Sequence, residues 1–461
     1  MIKTNLIDSN KIHPQTIISS ILNIIPYNNS YAKSYLTLAK LISDEYHVNE
    51  VTCIPHISSI MFYKEYGIKL DKNNDFEEIK SENIDIHAEN TIYRAIIEDN
   101  KQRFILFAEA EEFNENQTLQ SELFPNSYIR YSLIELCCYY GAVDCFKILR
   151  SKFNSEISDI CLQFSFLGRN LEIISECLKY QKPDEECMKY AIISHSIDFV
   201  TFLMNEYDIK IDLLNCGIHN NLESFLVYFD QTNDYNKCFI YSVLFNIPSL
   251  CDYFLSLGAN INEFDDDGKS ALHYAAIYNS KEMVNLLISH DSNINEKDNY
   301  GKIALHFAAE KNFKEIAEIL ISHGANINEK DDYERTALHY AAINNCKEIV
   351  ELLVSHGANI NERDDHGVTS LHYAADKNFK DIVELLVSHD ANINEYDDNG
   401  RSALNYAAIN NRKEIVELLV SHGANINEKD LYGKSILHYA KIYDRKEIAE
   451  ILISHGANVD S

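Results

Sequence analysis

The last 198 residues of this chain repeat one 33-residue pattern six times, and no other feature restricts the fold so strongly. Leu272, Leu305, Leu338, Leu371, Leu404 and Leu437 recur at that interval. Around each stands the same frame: an Asp-rich start, a short run containing Ala-Leu-His or a close variant, an aromatic residue, and usually Ala-Ala. Self-similarity at such a period leaves each unit an apolar face that only its neighbours can cover. The pattern therefore predicts a solenoid of stacked helical units.

The third unit, residues 330–362, shows how one unit folds. Thr336 precedes Ala337-Leu338-His339-Tyr340-Ala341-Ala342-Ile343, a short apolar run in which the alanines favour a helix. Ala341 and Ala342 are small enough to let neighbouring helices approach closely. Asn345 follows, with Asn279, Asn312, Asn378, Asn411 and Asp444 in the same column. Asn tolerates a left-handed backbone, so this column predicts the turn between two helices. The second helix is expected over 347–356, with Ile349, Val350, Leu352 and Leu353 as its buried stripe. Gly357 is expected to stop it, as Gly324, Gly423 and Gly456 do elsewhere. A second glycine column, Gly268, Gly301, Gly367, Gly400 and Gly433, marks a tight bend in the loop between units.

Two departures from the frame stand out. Glu334 occupies the place where the other units carry the bend glycine, which implies strain if that place needs a positive φ. Lys441 replaces the second Ala of its pair and reads as part of a polar cap.

The period, together with Thr-Ala-Leu-His-Tyr-Ala-Ala, resembles the ankyrin repeat. That resemblance implies an all-α fold: an ankyrin-repeat α-solenoid with short protruding β-turn or hairpin loops. The expected repeats are 264–296, 297–329, 330–362, 363–395, 396–428 and 429–461. Residues 238–263 align to the same frame as a diverged repeat. Further upstream, Gly141, Gly168, His195, His219 and Asn246 mark inter-helix turns at shorter spacing, which suits helix pairs without the protruding loop. We therefore expect diverged helical pairs over 91–263, continuous with the repeats, and a mostly helical region over 1–90. In the latter, 34–46 has helical periodicity with Leu36, Leu38, Leu41 and Ile42 on apolar positions, while 72–75 and 77–82 read as linker. The segments running from Ile134 to Arg150 and from Tyr180 to His195 resemble a helical domain of unknown function that precedes ankyrin repeats in many proteins of trichomonad protists. The resemblance implies a fold and a binding role, and no chemistry.

Composition narrows the function classes. The net charge is −30. Residues 264–461 hold 34 acidic and 20 basic side chains, a balance of −14, so −16 falls on the first 263. Such a surface argues against nucleic acid and against anionic membranes as partners. The chain opens Met-Ile-Lys-Thr-Asn-Leu-Ile-Asp, without the features of a secretory signal, and the apolar stretch 17–25 is short and broken by Ser19, Ser20 and Asn23. Eleven cysteines with no Cys-x-x-Cys spacing suit a reducing compartment. A cytoplasmic monomer is expected.

Histidine invites a metal-site reading, because twelve of eighteen lie in the repeats. His273, His306, His339, His372 and His438 form one column, broken by Asn405. His290, His323, His356, His389, His422 and His455 form another. Columns on a solenoid place like residues roughly 8–10 Å apart, whereas a metal needs converging ligands. We read the first column as bonded to the loop and its Ser/Thr, and the second as helix ends. The Asp pairs 331–332, 364–365 and 397–398 read as solvated turn residues, since they lack calcium-loop spacing. No nucleophile elbow and no phosphate loop is present, so no enzymatic activity and no cofactor is expected.

Binding remains. The resemblance to ankyrin proteins implies that a protein partner is held by the loop tips and the first-helix face. The candidate contact residues are Tyr278, Tyr300, Lys302, Tyr333, Arg335, Ile343, His366, Arg401, Tyr432 and Tyr443. The alternative is an adaptor that recruits substrates to a larger complex, such as a ubiquitin ligase, through its N-terminal region.

Overall fold

The computed structural model describes residues 14–51, 54–70 and 90–458. The opening residues 1–8, the two linker-like stretches and Cys53 lie outside them. The chain divides into two compact units, Met1–Asp234 and Tyr235–Ser461.

The second unit is a series of helix pairs. Tyr235–Ser242 precedes Pro248–Ser256, so the diverged repeat at 238–263 is a helix pair like the rest. Then follow Ala271–Ile277 with Lys281–Ser289, Ala304–Glu310 with Lys314–Ser322, and Ala337–Ile343 with Lys347–Ser355. Ser370–Lys377 with Lys380–Ser388, Ala403–Ile409 with Lys413–Ser421, and Ile436–Ile442 with Lys446–Ser454 complete the series. Each first helix packs on the first helix of the next pair, and each second helix on the next second helix. Ala341 and Ala342 are fully buried at that contact, and Leu338 lies beneath them at 1% exposure. Helices this short are unstable alone, so the stacking holds them. Lys441 is exposed where the matching alanines are buried.

The turns follow the columns. Asn279, Asn312, Asn345, Asn378, Asn411 and Asp444 all have positive φ, between 53° and 66°. The second helices end one residue earlier than the glycines suggest: His356 is the capping residue and Gly357, at φ 88°, follows it. Asp291 and Asp390 hold the same left-handed place where glycine is missing. Leu352 is only half-buried, unlike Ile349, Val350 and Leu353, because it lies at the rim of the stripe.

Glu334 has φ 56°, whereas Gly268, Gly301, Gly367, Gly400 and Gly433 lie between 73° and 76°. At Gly301 and Gly367 an added Cβ would come within 2.8 and 2.9 Å of the next loop's backbone nitrogen. Glu334 thus carries left-handed strain, offset by an exposed 3.4 Å ion pair to Lys330. Glu334→Gly is expected to raise stability by about 0.5–1 kcal/mol, since removing roughly 1–2 kcal/mol of strain outweighs the entropy gained by the unfolded chain and a surface pair worth little. Urea denaturation checks this. A lower midpoint in the variant would mean that the loop gains from its carboxylate more than it loses to strain.

The first unit holds further pairs: Ile92–Ile97 with Lys101–Ala108, Leu133–Tyr140 with Val143–Phe153, and Asp159–Gly168 with Leu171–Cys177. Glu185–Ile193 with Ile197–Tyr207 and Leu213–Ile218 with Leu222–Thr232 follow. Gly141 and His195 take left-handed turns as expected, but the other two fall one residue later, at Arg169 and Asn220. Gly168 is needed for a different reason: a Cβ there would lie 2.1 Å from the Cys138 carbonyl oxygen, where the last turns of two adjacent first helices pack side by side. A two-residue antiparallel ladder, Thr118–Leu119 with Tyr131–Ser132, was not anticipated. The helix expected over 34–46 runs Ala32–Glu45, with Leu36 and Ile42 buried but Leu41 exposed. Pro14–Asn23 and His56–Tyr66 flank it in sequence.

Candidate functional site

The loop tips of the second unit are built on a buried aspartate. Asp331 Oδ1 accepts the backbone N–H groups of Tyr333 and Arg335 at 3.0 and 2.8 Å, and its Oδ2 accepts the Tyr340 hydroxyl at 2.5 Å. Asp364 does the same with His366, Val368 and Tyr373, and Asp397 with Asn399, Arg401 and Tyr406. These first members of the Asp pairs are about 95% buried, which corrects the reading of both members as solvated. Burial of these carboxyl groups is tolerated because each oxygen is hydrogen-bonded. In Asp364 burial pushes the carboxyl pKa up, but the bonds from Tyr373, Val368 and His366 outweigh it and hold the pKa below the usual range. The signal was present in the sequence as an Asp-to-Tyr spacing of nine, as in 331/340, 364/373, 397/406 and 430/439.

One unit breaks the pairing. Phe307 stands where the others have Tyr, and Asp298 Oδ2 is buried with no hydrogen-bond partner. Phe307→Tyr is expected to stabilise the protein by about 1–2 kcal/mol, by giving a buried carboxyl oxygen a hydrogen-bond donor in a frame that already accommodates tyrosine. Thermal denaturation reads the gain. No shift in midpoint would show that Asp298 is already solvated.

Successive tips are joined backbone to backbone. Asp332 N–H donates to Tyr300 O, Asp365 N–H to Tyr333 O, Asp398 N–H to His366 O and Leu431 N–H to Asn399 O, each at 3.0 Å. This ladder holds Tyr300, Tyr333, His366, Asn399 and Tyr432 in one column. Tyr300, Tyr333 and Tyr432 are 53%, 48% and 64% exposed. His366 is exposed beside them. Tyr278 and Tyr443 are exposed at the ends of first helices, Tyr443 stacked on Tyr439 at 6.4 Å, and Ile343 is half-buried.

The three basic candidates are differently placed. Arg335 donates to the Tyr373 hydroxyl at 2.9 Å and lies 3.4 Å from Asp364, both in the next unit. Arg401 reaches Tyr439 at 3.1 Å and Asp430 at 3.7 Å. Lys302 Nζ sits 4.1 Å above the Tyr340 ring and pairs with Glu310 at 2.9 Å. All three are half-buried bridges between units rather than free side chains on the tips.

Four histidines of the first column and five of the second bond to the backbone around them. His273 Nδ1 accepts the Ser270 backbone N–H at 2.9 Å, so the ring proton is on Nε2, which donates to the carbonyls of Glu296 and Lys302 at 3.0 and 3.1 Å. His306, His339 and His372 repeat this arrangement, each tying its helix start to a following loop. Asn405 keeps the helix-start bond, 3.0 Å from Ser402 N, without the longer reach. In the second column His323, His356, His389, His422 and His455 each turn Nδ1 back to the carbonyl four residues earlier. Among the described residues no group of three or more His, Cys, Asp or Glu converges as a metal site, and no helix is long and apolar enough to cross a membrane.

Comparison with known families agrees with this geometry. Residues 153–228 match a domain of unknown function (DUF3447), and residues 239–331, 328–397 and 389–461 match the model for ankyrin repeats. No curated protein matches the chain. Helix pairs run through both matched ranges, and the chain is an ankyrin-repeat protein whose repeats follow a DUF3447 domain.

Proposed function

We propose that this chain is a non-enzymatic scaffold that holds a protein partner against the loop tips and first-helix ends of its ankyrin repeats. Ankyrin repeats are protein-interaction modules, which supports the general role. The tip column carries the finer reading: Tyr300, Tyr333 and Tyr432 expose large amphipathic rings from a backbone that the inter-repeat ladder has already ordered. A partner meeting them has little loop entropy to freeze, which favours affinity. Tyr278, Ile343, His366 and Tyr443 extend the surface, while Lys302, Arg335 and Arg401 set the spacing of its units. The ten described cysteines are all buried, as small apolar side chains in a helical core are. Affinity purification with the full chain, compared with a Tyr300→Ser/Tyr333→Ser/Tyr432→Ser variant, tests the reading. Proteins retained by the first and lost by the second are the partners, and identical captured sets would refute it.

A further inference from the structure

In the first unit the equivalent first-helix face is already occupied. The segment from Ile25 to Asn29 lies on it, more than ninety residues away in sequence from the groups that hold it. Tyr139, in the last turn of Leu133–Tyr140, uses its hydroxyl in both senses: it donates to Pro26 O at 2.9 Å and accepts the Asn29 backbone N–H at 3.3 Å. The neighbouring Tyr140 hydroxyl donates to Asn29 Oδ1 at 2.7 Å, and Asn29 Nδ2 donates to Leu123 O at 2.8 Å. The Asn29 side chain is thus bonded at both ends and has no exposed surface. Tyr27 sets its ring 6.4 Å from Tyr190, on Glu185–Ile193, and edge-on at 5.4 Å to His219, which caps Leu213–Ile218. Asn220 reaches Ser20 at 3.3 Å. Ile25 is fully buried.

These contacts come from separate helix pairs and meet one short segment whose own turns are single 3-10 turns, Ile25–Tyr27 and Asn29–Tyr31. They read a backbone carbonyl, a backbone N–H, an aromatic ring and a primary amide, as a peptide-binding surface does. They also occupy first-helix ends, the positions that Tyr278 and Tyr443 leave exposed in the ankyrin repeats. We infer that the first-helix face between Leu133 and His219 is a peptide-recognition site, that its ligand class is a short apolar-Pro-aromatic-x-Asn peptide, and that Ile25–Asn29 fills it in cis. A tethered ligand acts at an effective concentration of order millimolar, so the site stays closed to external peptides of that class unless the segment is withdrawn. The inference stands independently of the partner reading for the ankyrin face.

The test uses the full chain and a fluorescein-labelled synthetic peptide spanning Ser20–Tyr31. In fluorescence anisotropy the wild-type chain is expected to leave the peptide free. A Tyr27→Ala/Asn29→Ala variant should bind it saturably, at least about tenfold more tightly, because the cis competitor is gone. Adding Tyr139→Phe to that variant should weaken the peptide again. Equal binding to wild type and variant, or none to a variant that keeps its helical melt, overturns the inference. Should the double variant lose its fold, Tyr139→Phe alone decides, since it keeps the ring and removes only the hydroxyl. Hydrogen exchange over residues 25–31 should then quicken at least about tenfold while Glu185–Ile193 stays protected, whereas unchanged exchange overturns the inference. Light scattering that shows a concentration-dependent wild-type dimer, dispersed by the double variant, would place the segment on a second copy and overturn the cis assignment.

Discussion

Lowering the pH from 7 to 5 is expected to destabilise the ankyrin repeats steeply. Burial holds the pKa values of His273, His306, His339 and His372 below the ordinary histidine range, against opposing pulls from nearby acidic groups and carbonyls. Their Nδ1 atoms face backbone N–H donors, so protonation there would turn an acceptor into a donor and break the helix-start bond. In the unfolded chain these rings take up protons near pH 6.5, while in the folded protein they stay neutral to lower pH. The unfolded state then binds more protons, and stability rises with pH over that window. It is fully present above about pH 6.5 and is lost as pH falls toward the folded values, at up to about 1.4 kcal/mol per pH unit for each ring. Urea titrations at pH 7, 6 and 5 measure the slope. His306→Asn, which copies Asn405, should make the slope shallower. A midpoint independent of pH between 7 and 5 would mean that the rings take up protons in the fold as readily as in the unfolded chain.

The second large effect is on binding. Replacing Tyr300, Tyr333 and Tyr432 together with Ser should leave the melting curve nearly unchanged, because all three side chains are exposed and the ladder bonds use only backbone atoms. Affinity for a partner captured by the wild-type chain should fall by an order of magnitude or more, since a buried interface tyrosine is commonly worth about 2 kcal/mol. Leu338→Ala behaves in the opposite way. It empties a fully packed site beneath the Ala341–Ala342 contact and should cost about 2–5 kcal/mol of stability. Calorimetry of both variants beside a binding titration separates the two roles. Undiminished affinity in the triple variant would move the interface off the tips.

Much of the fold is legible in the residue columns. The 33-residue recurrence of Leu338 and its equivalents, the left-handed Asn345 column and the strained Glu334 all stand where the pattern puts them, because each reflects a local backbone or packing need repeated in every unit. The upstream turns were harder. Gly168 looked like a turn residue, yet it is glycine because Cys138 lies against it and Arg169 makes the turn. Leu41 kept the helical period and still faces outward.

The site divides along the same line. That Tyr300, Tyr333 and Tyr432 share a column follows from the period by itself, since identical units stack like residues on one side. What only the tertiary structure decided is which neighbours compete for a side chain. Asp364 and Arg335 are typical surface residues by type. Each is taken up because a tyrosine of the same or the following unit arrives within hydrogen-bond distance of it. Asn29 is the clearest case: its partners Leu123 and Tyr140 lie about a hundred residues on, and nothing in residues 25–29 announces them. Local patterns determine helices, turns and periodicity because those depend on near neighbours in the chain. Burial of a polar group depends on what folds back against it, and for this chain that information resides in the stacked structure.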